Sequence, residues 1–116
     1  MHEMGIVYGM FDTLRDIIKQ NNITSPLLSV TLEVGEASMV VSSYLQECFD
    51  IAKEDTEFKN TKLIQKEVPC IGRCSKCGHE FKVKENDRVC PICHSENDFT
   101  PIDGTEITIS EVDFEY

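Results

Sequence analysis

Cys74-Ser75-Lys76-Cys77-Gly78 and, after eleven intervening residues, Cys90-Pro91-Ile92-Cys93-His94 form the segment that the rest of the chain must accommodate. Two residues between the cysteines of each pair suit a tight turn that points both sulfurs at one cation. Gly78 supplies the positive φ that such a turn often needs. This spacing predicts a tetrahedral Zn²⁺ site with Zn–S distances of about 2.3 Å. Phe81 and Val83 alternate with lysines in the intervening loop, which predicts a strand there.

The alternatives to zinc are disulfide bonds in a secreted domain and iron in a rubredoxin-like site. No secretory signal precedes the cysteines, and this disfavours disulfides. The spacing alone leaves iron open. For either metal the four sulfurs complete a tetrahedral shell, so we expect a structural site without an open position for chemistry.

The composition is that of a small globular protein with an acidic surface. The chain has 116 residues, of which 41 % are hydrophobic, and its formal net charge is −10. A sequence-tolerant nucleic-acid binder needs a basic face for phosphates, so we expect a protein partner or a cation instead of a nucleic acid. No apolar run approaches the roughly 18 residues of a membrane helix. Free and metal-bound thiols predict a reducing compartment, most simply the cytoplasm.

Two stretches have the three- and four-residue apolar spacing of amphipathic helices. The first runs from about Glu3 to Gln20, and its apolar stripe is Met4, Val7, Phe11, Leu14 and Ile18. The second runs from about Ser38, a predicted N-cap, to Glu54. Its apolar face includes Cys48, which we interpret as a small core residue and not as a ligand.

Three further stretches predict strands. Leu28 to Val34 alternates apolar and polar residues, and Leu63 to Val68 is rich in apolar residues. After a predicted turn at Pro101–Gly104, the stretch from Glu106 to Tyr116 changes the parity of its apolar residues near Ser110–Glu111. That change predicts a β-bulge, a break or two separate short strands.

The order of these elements predicts an α+β fold. Two helices would pack on one face of a small three-stranded sheet, and the cysteine-rich zinc ribbon would be inserted before the last strand. Because neither part has a large core, we expect metal binding to supply most of the folding free energy of the ribbon, on the order of 10 kcal/mol.

The amino terminus, Met1-His2-Glu3, is the second chemically informative stretch. A histidine at position two brings the terminal amine, the His2 amide and the imidazole within reach of one ion. These nitrogens close two fused chelate rings, which suit square-planar Ni²⁺ or Cu²⁺ better than Zn²⁺. We expect the bulky second residue to preserve Met1. Glu3 either adds an oxygen donor or only interacts favourably with the helix macrodipole, and a histidine after the start methionine is often an accident.

Taken together, these segments resemble the HypA/HybF family of hydrogenase nickel-incorporation proteins. The resemblance rests on Met1-His2-Glu3 leading into a helix, the strand Val30–Gly35, the second helix, and Cys74-x-x-Cys77 with Cys90-Pro91-x-Cys93-His94. It covers essentially the whole chain. It implies a nickel metallochaperone, and not an enzyme, that acts in [NiFe]-hydrogenase maturation and in some organisms in urease maturation.

The resemblance also implies partners, sites and domains. The partners are a nickel-handling GTPase maturation factor and the precursor of the hydrogenase large subunit. Ni(II) is the cargo, bound by His2 with Met1 and Glu3, and Zn(II) is the structural cofactor, bound by Cys74, Cys77, Cys90 and Cys93. The nickel domain comprises residues 1–69 plus 106–116, the zinc-ribbon domain comprises residues 70–105, and the protein is a monomer or a weak homodimer.

Two other functions remain open from the residues alone. One is a zinc-ribbon adaptor that acts through its acidic surface without nickel, and the other is a rubredoxin-like electron carrier. No Ser/His/Asp or Cys/His arrangement and no phosphate-binding glycine loop predicts an enzyme. Cys70 is expected to pack or to lie exposed, because four cysteines already complete a tetrahedral site. His79 and His94 are expected to be solvated, with completion of a nickel site as the alternative.

Overall fold

The computed structural model describes residues 3–115. Two helices and six strands follow in the order α1 (Glu3–Gln20), β1 (Leu27–Gly35), α2 (Ser42–Ala52), β2 (Lys62–Val68), β3 (Ile71–Cys74), β4 (Glu80–Lys82), β5 (Phe99–Asp103) and β6 (Ile107–Phe114). The strands form two three-stranded sheets, with the orders β2-β1-β6 and β4-β3-β5. The predicted α+β fold with an inserted ribbon is confirmed, because β6 returns to the sheet of β1 and β2 after the β3–β5 insertion.

The chain divides into two compact units. The first contains Met1–Leu32, Val40–Lys66 and Ile109–Tyr116 as far as these segments are described, and the second contains Glu33–Met39 and Glu67–Thr108. Both α-helices therefore belong to the first unit, and β3, β4 and β5 belong to the second. Within residues 3–115, no helix is both long enough and apolar enough to span a bilayer.

Helix α1 has the predicted bounds, Glu3–Gln20. Its spacing turns one face inward, and the buried members of that face are Glu3, Val7, Met10, Phe11 and Leu14. The ring of Phe11 stacks on Phe58 at 5.0 Å between centroids and contacts Phe49 of α2 at 5.8 Å. These aromatic contacts fix α1 against α2 in the core of the first unit.

Helix α2 is shorter than predicted, and the prediction of Ser38 as its N-cap was wrong. Glu36–Ser38 forms a separate 3₁₀ turn in which the Ser38 hydroxyl donates to the carbonyl oxygen of Gly35 at 2.6 Å. Met39 follows with φ +69°, a left-handed conformation that cannot continue a right-handed helix. The α-helix therefore begins only at Ser42.

The strand β1 buries Val30, Leu32 and Val34 as predicted, but the alternation fails at Thr31, which is also buried, and at the start of the strand. Leu27 is 7 % exposed and enters the core, whereas Leu28 is 44 % exposed. The Thr61 hydroxyl donates to the carbonyl oxygen of Leu27 at 2.8 Å, which ties this end of the strand to the segment before β2.

The second sheet is built on β3, which pairs antiparallel with β4 and β5. Its core contains Phe81 and Val83 beside three cysteines, and the ring of Phe99 meets Phe81 edge-on at 5.9 Å. The predicted turn at Pro101–Gly104 was too long, because residues 101 to 103 belong to β5. Pairing of Pro101 with Gly72 keeps this stretch extended.

The last strand, β6, runs without interruption from Ile107 to Phe114, so the predicted break and the two separate strands were wrong. Ile107 and Ile109 are half-buried, and so are Val112 and Phe114, which have the opposite parity. The change of parity at Ser110–Glu111 is thus present within one strand. A β-bulge at this point stays a prediction.

The turn that precedes β6 requires glycine at position 104. Gly104 has φ +74°, and a Cβ there would lie 2.4 Å from the carbonyl oxygen of Pro69. We expect Gly104→Ala to lower the free energy of unfolding by about 2–4 kcal/mol, because left-handed strain adds to a clash with backbone atoms. Urea denaturation measures this loss.

Gly9 is the matched control for that substitution. It lies in α1, and a Cβ there would meet no atom within 4 Å. We expect Gly9→Ala to be neutral or stabilising by up to about 1 kcal/mol. A Gly104→Ala protein as stable as the Gly9→Ala protein would contradict this account of the turn.

Candidate metal centre

The four cysteines predicted as zinc ligands come together in the second unit. Cys74 ends β3, Cys77 follows in the next turn, and Cys90 and Cys93 lie between β4 and β5. Their Sγ atoms all lie within 4.8 Å of one another. Cys74 is 3.4 Å from Cys93, and Cys77 is 3.5 Å from Cys90. The first cysteine of each pair is buried and the second is exposed, so one side of the cluster packs against the ribbon core and the other faces solvent.

The two cysteine turns have the same backbone construction. The N–H of Gly78 donates to the carbonyl oxygen of Cys74 at 2.9 Å, and the N–H of His94 donates to that of Cys90 at 2.9 Å. Gly78 and His94 both have left-handed φ angles, +77° and +62°. The N–H of Cys74 donates to the carbonyl oxygen of His79 at 2.9 Å, and the N–H of Cys90 donates to that of Ser95 at 3.0 Å. The turns therefore present their sulfurs as two equivalent halves of one site.

Hydrogen bonds favour the thiolate form of two of these sulfurs. The Ser95 hydroxyl lies 3.1 Å from the Sγ of Cys93 and lowers the pKa of Cys93 to about 6. The backbone N–H groups of Cys77 and Lys76 lower the pKa of Cys74. The sequence analysis missed Ser95, and its only signal there is a hydroxyl two residues after the last cysteine.

The four sulfurs cannot all be ionised unless a cation lies among them. The backbone N–H of His79 lowers the pKa of Cys77, but desolvation and the sulfurs of Cys90, Cys74 and Cys93 raise it further, to about 12. A dication bound by the four sulfurs compensates their mutual repulsion and releases the remaining protons. Four sulfurs at these separations are the donor set of a closed tetrahedral metal site. The residues present therefore fit a metal ion.

The other cysteines and two of the histidines lie outside this cluster. Cys48 is buried in the core on α2, as predicted. Cys70 is also buried, and burial raises the pKa of its thiol. His79 and His94 are exposed. Within residues 3–115 these four side chains do not join the four-sulfur group.

Of the predicted nickel donors, Met1 and His2 lie outside the described residues. Glu3 is described, and it begins α1 with only 4 % of its surface exposed. Its Oε1 is buried and has no hydrogen-bond partner among residues 3–115. An unpaired buried polar group costs about 1–3 kcal/mol, and a charged one costs more. A cation bound by Glu3 would offset this cost.

Comparisons with known proteins agree with this architecture along the whole chain. The family model described as hydrogenase/urease nickel incorporation, metallochaperone, HypA matches residues 1–114. The hydrogenase maturation factor HypA of Desulfosudis oleivorans is 31 % identical over 113 residues, which are 97 % of each chain. That of Geobacter metallireducens is 31 % identical over 115 residues, which are 99 % of this chain and 100 % of the relative.

A solved structure also superposes closely. The solution structure of the Ni metallochaperone HypA from Helicobacter pylori matches with a TM-score of 0.71 at 25 % sequence identity. The match covers 98 % of this chain and 97 % of that one. The fold of this chain is therefore shared along nearly the full length of both chains.

The fold, the four-sulfur centre and the full-length family match define the class of protein, which is a metallochaperone and maturation factor and not an enzyme. Within that class, the chain belongs to the HypA family. The resemblance drawn from the sequence is thereby confirmed.

Proposed function

We propose that this protein carries Ni(II) as cargo at its amino terminus, for delivery to a maturing [NiFe]-hydrogenase, and holds Zn(II) permanently at its four cysteines. The nickel donors are the amine of Met1, the amide and imidazole nitrogens of His2, and the carboxylate of Glu3. Nitrogen donors with a deprotonated amide favour Ni(II), whereas four thiolates favour Zn(II). The difference in donor chemistry directs Ni(II) to the amino terminus and Zn(II) to the four cysteines.

The buried carboxylate of Glu3 supports the nickel site. A glutamate that only interacted with the helix macrodipole would be stable in water at the helix end. A glutamate that capped the helix would accept hydrogen bonds from first-turn N–H groups. Glu3 is 4 % exposed, and its Oε1 accepts no hydrogen bond from residues 3–115. Ligation of a cation explains both features.

The zinc site supports the fold and takes no part in transfer. Four sulfurs saturate a tetrahedral ion, so no position is left for an exchanging ligand. The Sγ atoms of Cys74 and Cys90 are contributed by buried residues of the ribbon core. Binding of the ion therefore joins the two cysteine turns and stabilises the β3–β4–β5 sheet between them.

The proposed partners follow from the delivery of nickel. They are a nickel-handling GTPase maturation factor and the precursor of the hydrogenase large subunit, both in the cytoplasm. The net charge of −10 disfavours nucleic acid as a partner.

The proposed domains divide the two metals between them. The nickel domain comprises residues 1–69 plus 106–116, and the zinc-ribbon domain comprises residues 70–105. The protein acts as a monomer or weak homodimer.

Calorimetric titration of untagged, zinc-loaded protein with Ni(II) tests the proposal. We expect one nickel per chain in the natural protein, and affinities lower by about 10- to 100-fold in His2→Ala and Glu3→Gln, because each substitution removes a donor. Asp16→Asn is the matched control, since Asp16 is an exposed carboxylate on the same helix. Equal affinity in all four proteins would remove the nickel proposal and leave the zinc site untouched.

A further inference from the structure

Helix α2 presents a row of apolar side chains at coiled-coil spacing. Val41, Tyr44, Cys48 and Ile51 follow at intervals of three, four and three residues, which is the spacing of a and d positions. Val41 is the extended N-cap residue of α2, and the other three lie within the helix. Cys48 is buried, whereas Val41, Tyr44 and Ile51 are 56 %, 51 % and 70 % exposed. We call these four residues the α2 seam. The core face of α2 is formed by Leu45, Cys48 and Phe49. Cys48 therefore belongs to both the core face and the α2 seam, and the exposed part of the seam is Val41, Tyr44 and Ile51.

Two carboxylates border the α2 seam at the heptad interval. Glu47 lies within α2 at the g position of this spacing, and Glu54 follows seven residues later in the 3₁₀ turn Lys53–Asp55 that continues α2. Neither forms an ion pair with another of the described residues, whereas the neighbouring Asp50 lies 3.9 Å from Lys53. In coiled coils, charges at g select the partner helix. The unpaired carboxylates therefore favour a partner that carries cations beside its apolar stripe.

We propose that the α2 seam docks a helix of another protein whose apolar a and d residues are flanked by lysine or arginine. A second copy of this chain does not fit. Antiparallel pairing would set Glu47 and Glu54 against the same carboxylates, and parallel pairing would place Glu47 beside Ala52, which carries no charge. The eleven residues of α2 are fewer than a lasting coiled coil uses, so the contact is short-lived. Short-lived contact is what a transfer step requires.

The α2 seam begins beside the start of α1. Phe11 of α1 lies next to Phe49 of α2. Nearer the two helix starts, Cys48 raises the pKa of Tyr44, and the charge of Glu3 adds to that effect. Glu3 and Tyr44 are thus neighbours, as are Phe11 and Phe49 further along each helix. The two helices therefore run in the same direction, with their first turns side by side. A helix docked on the seam would lie close to Glu3, and this link to cargo transfer rests on the proposed function.

A peptide probe measures docking without any nickel. The chain contains no tryptophan, so the emission of a tryptophan in the peptide reports its burial directly. The probe is a three-heptad helix with leucine at a and d, one d replaced by tryptophan, and lysine at e and g. Its matched control has glutamate at e and g. We expect the lysine peptide to bind zinc-loaded protein at least tenfold more tightly, on the order of the effect of complementary charge.

The double variant Glu47→Lys, Glu54→Lys should reverse this preference. Asp16→Lys, Glu111→Lys makes the same change in net charge at two exposed positions off α2 and should leave the preference intact. His2→Ala should bind the lysine peptide like the natural protein, which separates docking from nickel binding. Three results would each overturn the proposal: an unreversed preference in the double variant, an equal loss of preference in the Asp16→Lys, Glu111→Lys control, or self-association that Ile51→Ser abolishes.

Discussion

Serine at position 90 is expected to release the zinc and to unfold the β3–β4–β5 module. Cys90 is fully buried in the ribbon core and is one of the four proposed zinc ligands. Structural zinc contributes about 10–16 kcal/mol of apparent binding free energy in small modules, so loss of one of four ligands exceeds what this small core can replace. Elemental analysis should show less than one zinc per chain, and amide hydrogen exchange should show loss of protection in residues 71–103.

Cys48→Ser provides the control, because it makes the same atomic change at a buried thiol in the other unit. We expect this variant to keep one zinc per chain and to lose about 1–2 kcal/mol of stability. The far-ultraviolet helix signal of Cys90→Ser should persist, since both α-helices belong to the first unit. Full zinc occupancy and unchanged amide protection in Cys90→Ser would contradict the structural role of the site.

One glycine added before Met1 is expected to abolish tight nickel binding while leaving the zinc content unchanged. The extension turns the amine of Met1 into an amide and moves the free amine out of the fused chelate rings. We expect the affinity for Ni(II) to fall by about 100-fold or more, the upper range for disrupted metal sites. Competition with a coloured nickel chelator measures the loss.

The same glycine added after Tyr116 is the control, and it should change neither metal. Mass spectrometry of both proteins establishes which residue carries the free amine. If the amino-terminal extension left nickel affinity unchanged, the terminal amine would not be a ligand, and the cargo site would have to be sought elsewhere in the chain.

The elements that the sequence predicts well are those set by local periodicity. Helix α1 has the predicted bounds because its apolar spacing is regular over five turns and ends at Asn21-Asn22. Each cysteine pair is also set by local sequence, since its residues close a turn of their own. Assembly of the two halves into one group could be predicted because a metal ion needs four ligands in one place.

The elements that it mispredicts depend on conformations or contacts that residue type does not reveal. Met39 adopts a left-handed φ of +69°, which is uncommon for a side chain of its kind, and this delays the start of α2. Pro101 reads as a turn residue, but pairing with β3 keeps it in a strand. Ser95 contacts Cys93 only once the second cysteine turn has formed. Burial of Glu3 likewise depends on the packing of α1 and is not visible in its sequence pattern.

X-ray absorption at the nickel and zinc edges, on protein loaded with both metals, tests the division between cargo and structure most directly. We predict nitrogen and oxygen neighbours around nickel, with no sulfur, and four sulfurs at about 2.3 Å around zinc. Sulfur in the nickel spectrum, or nickel replacing zinc at the four cysteines, would contradict the account.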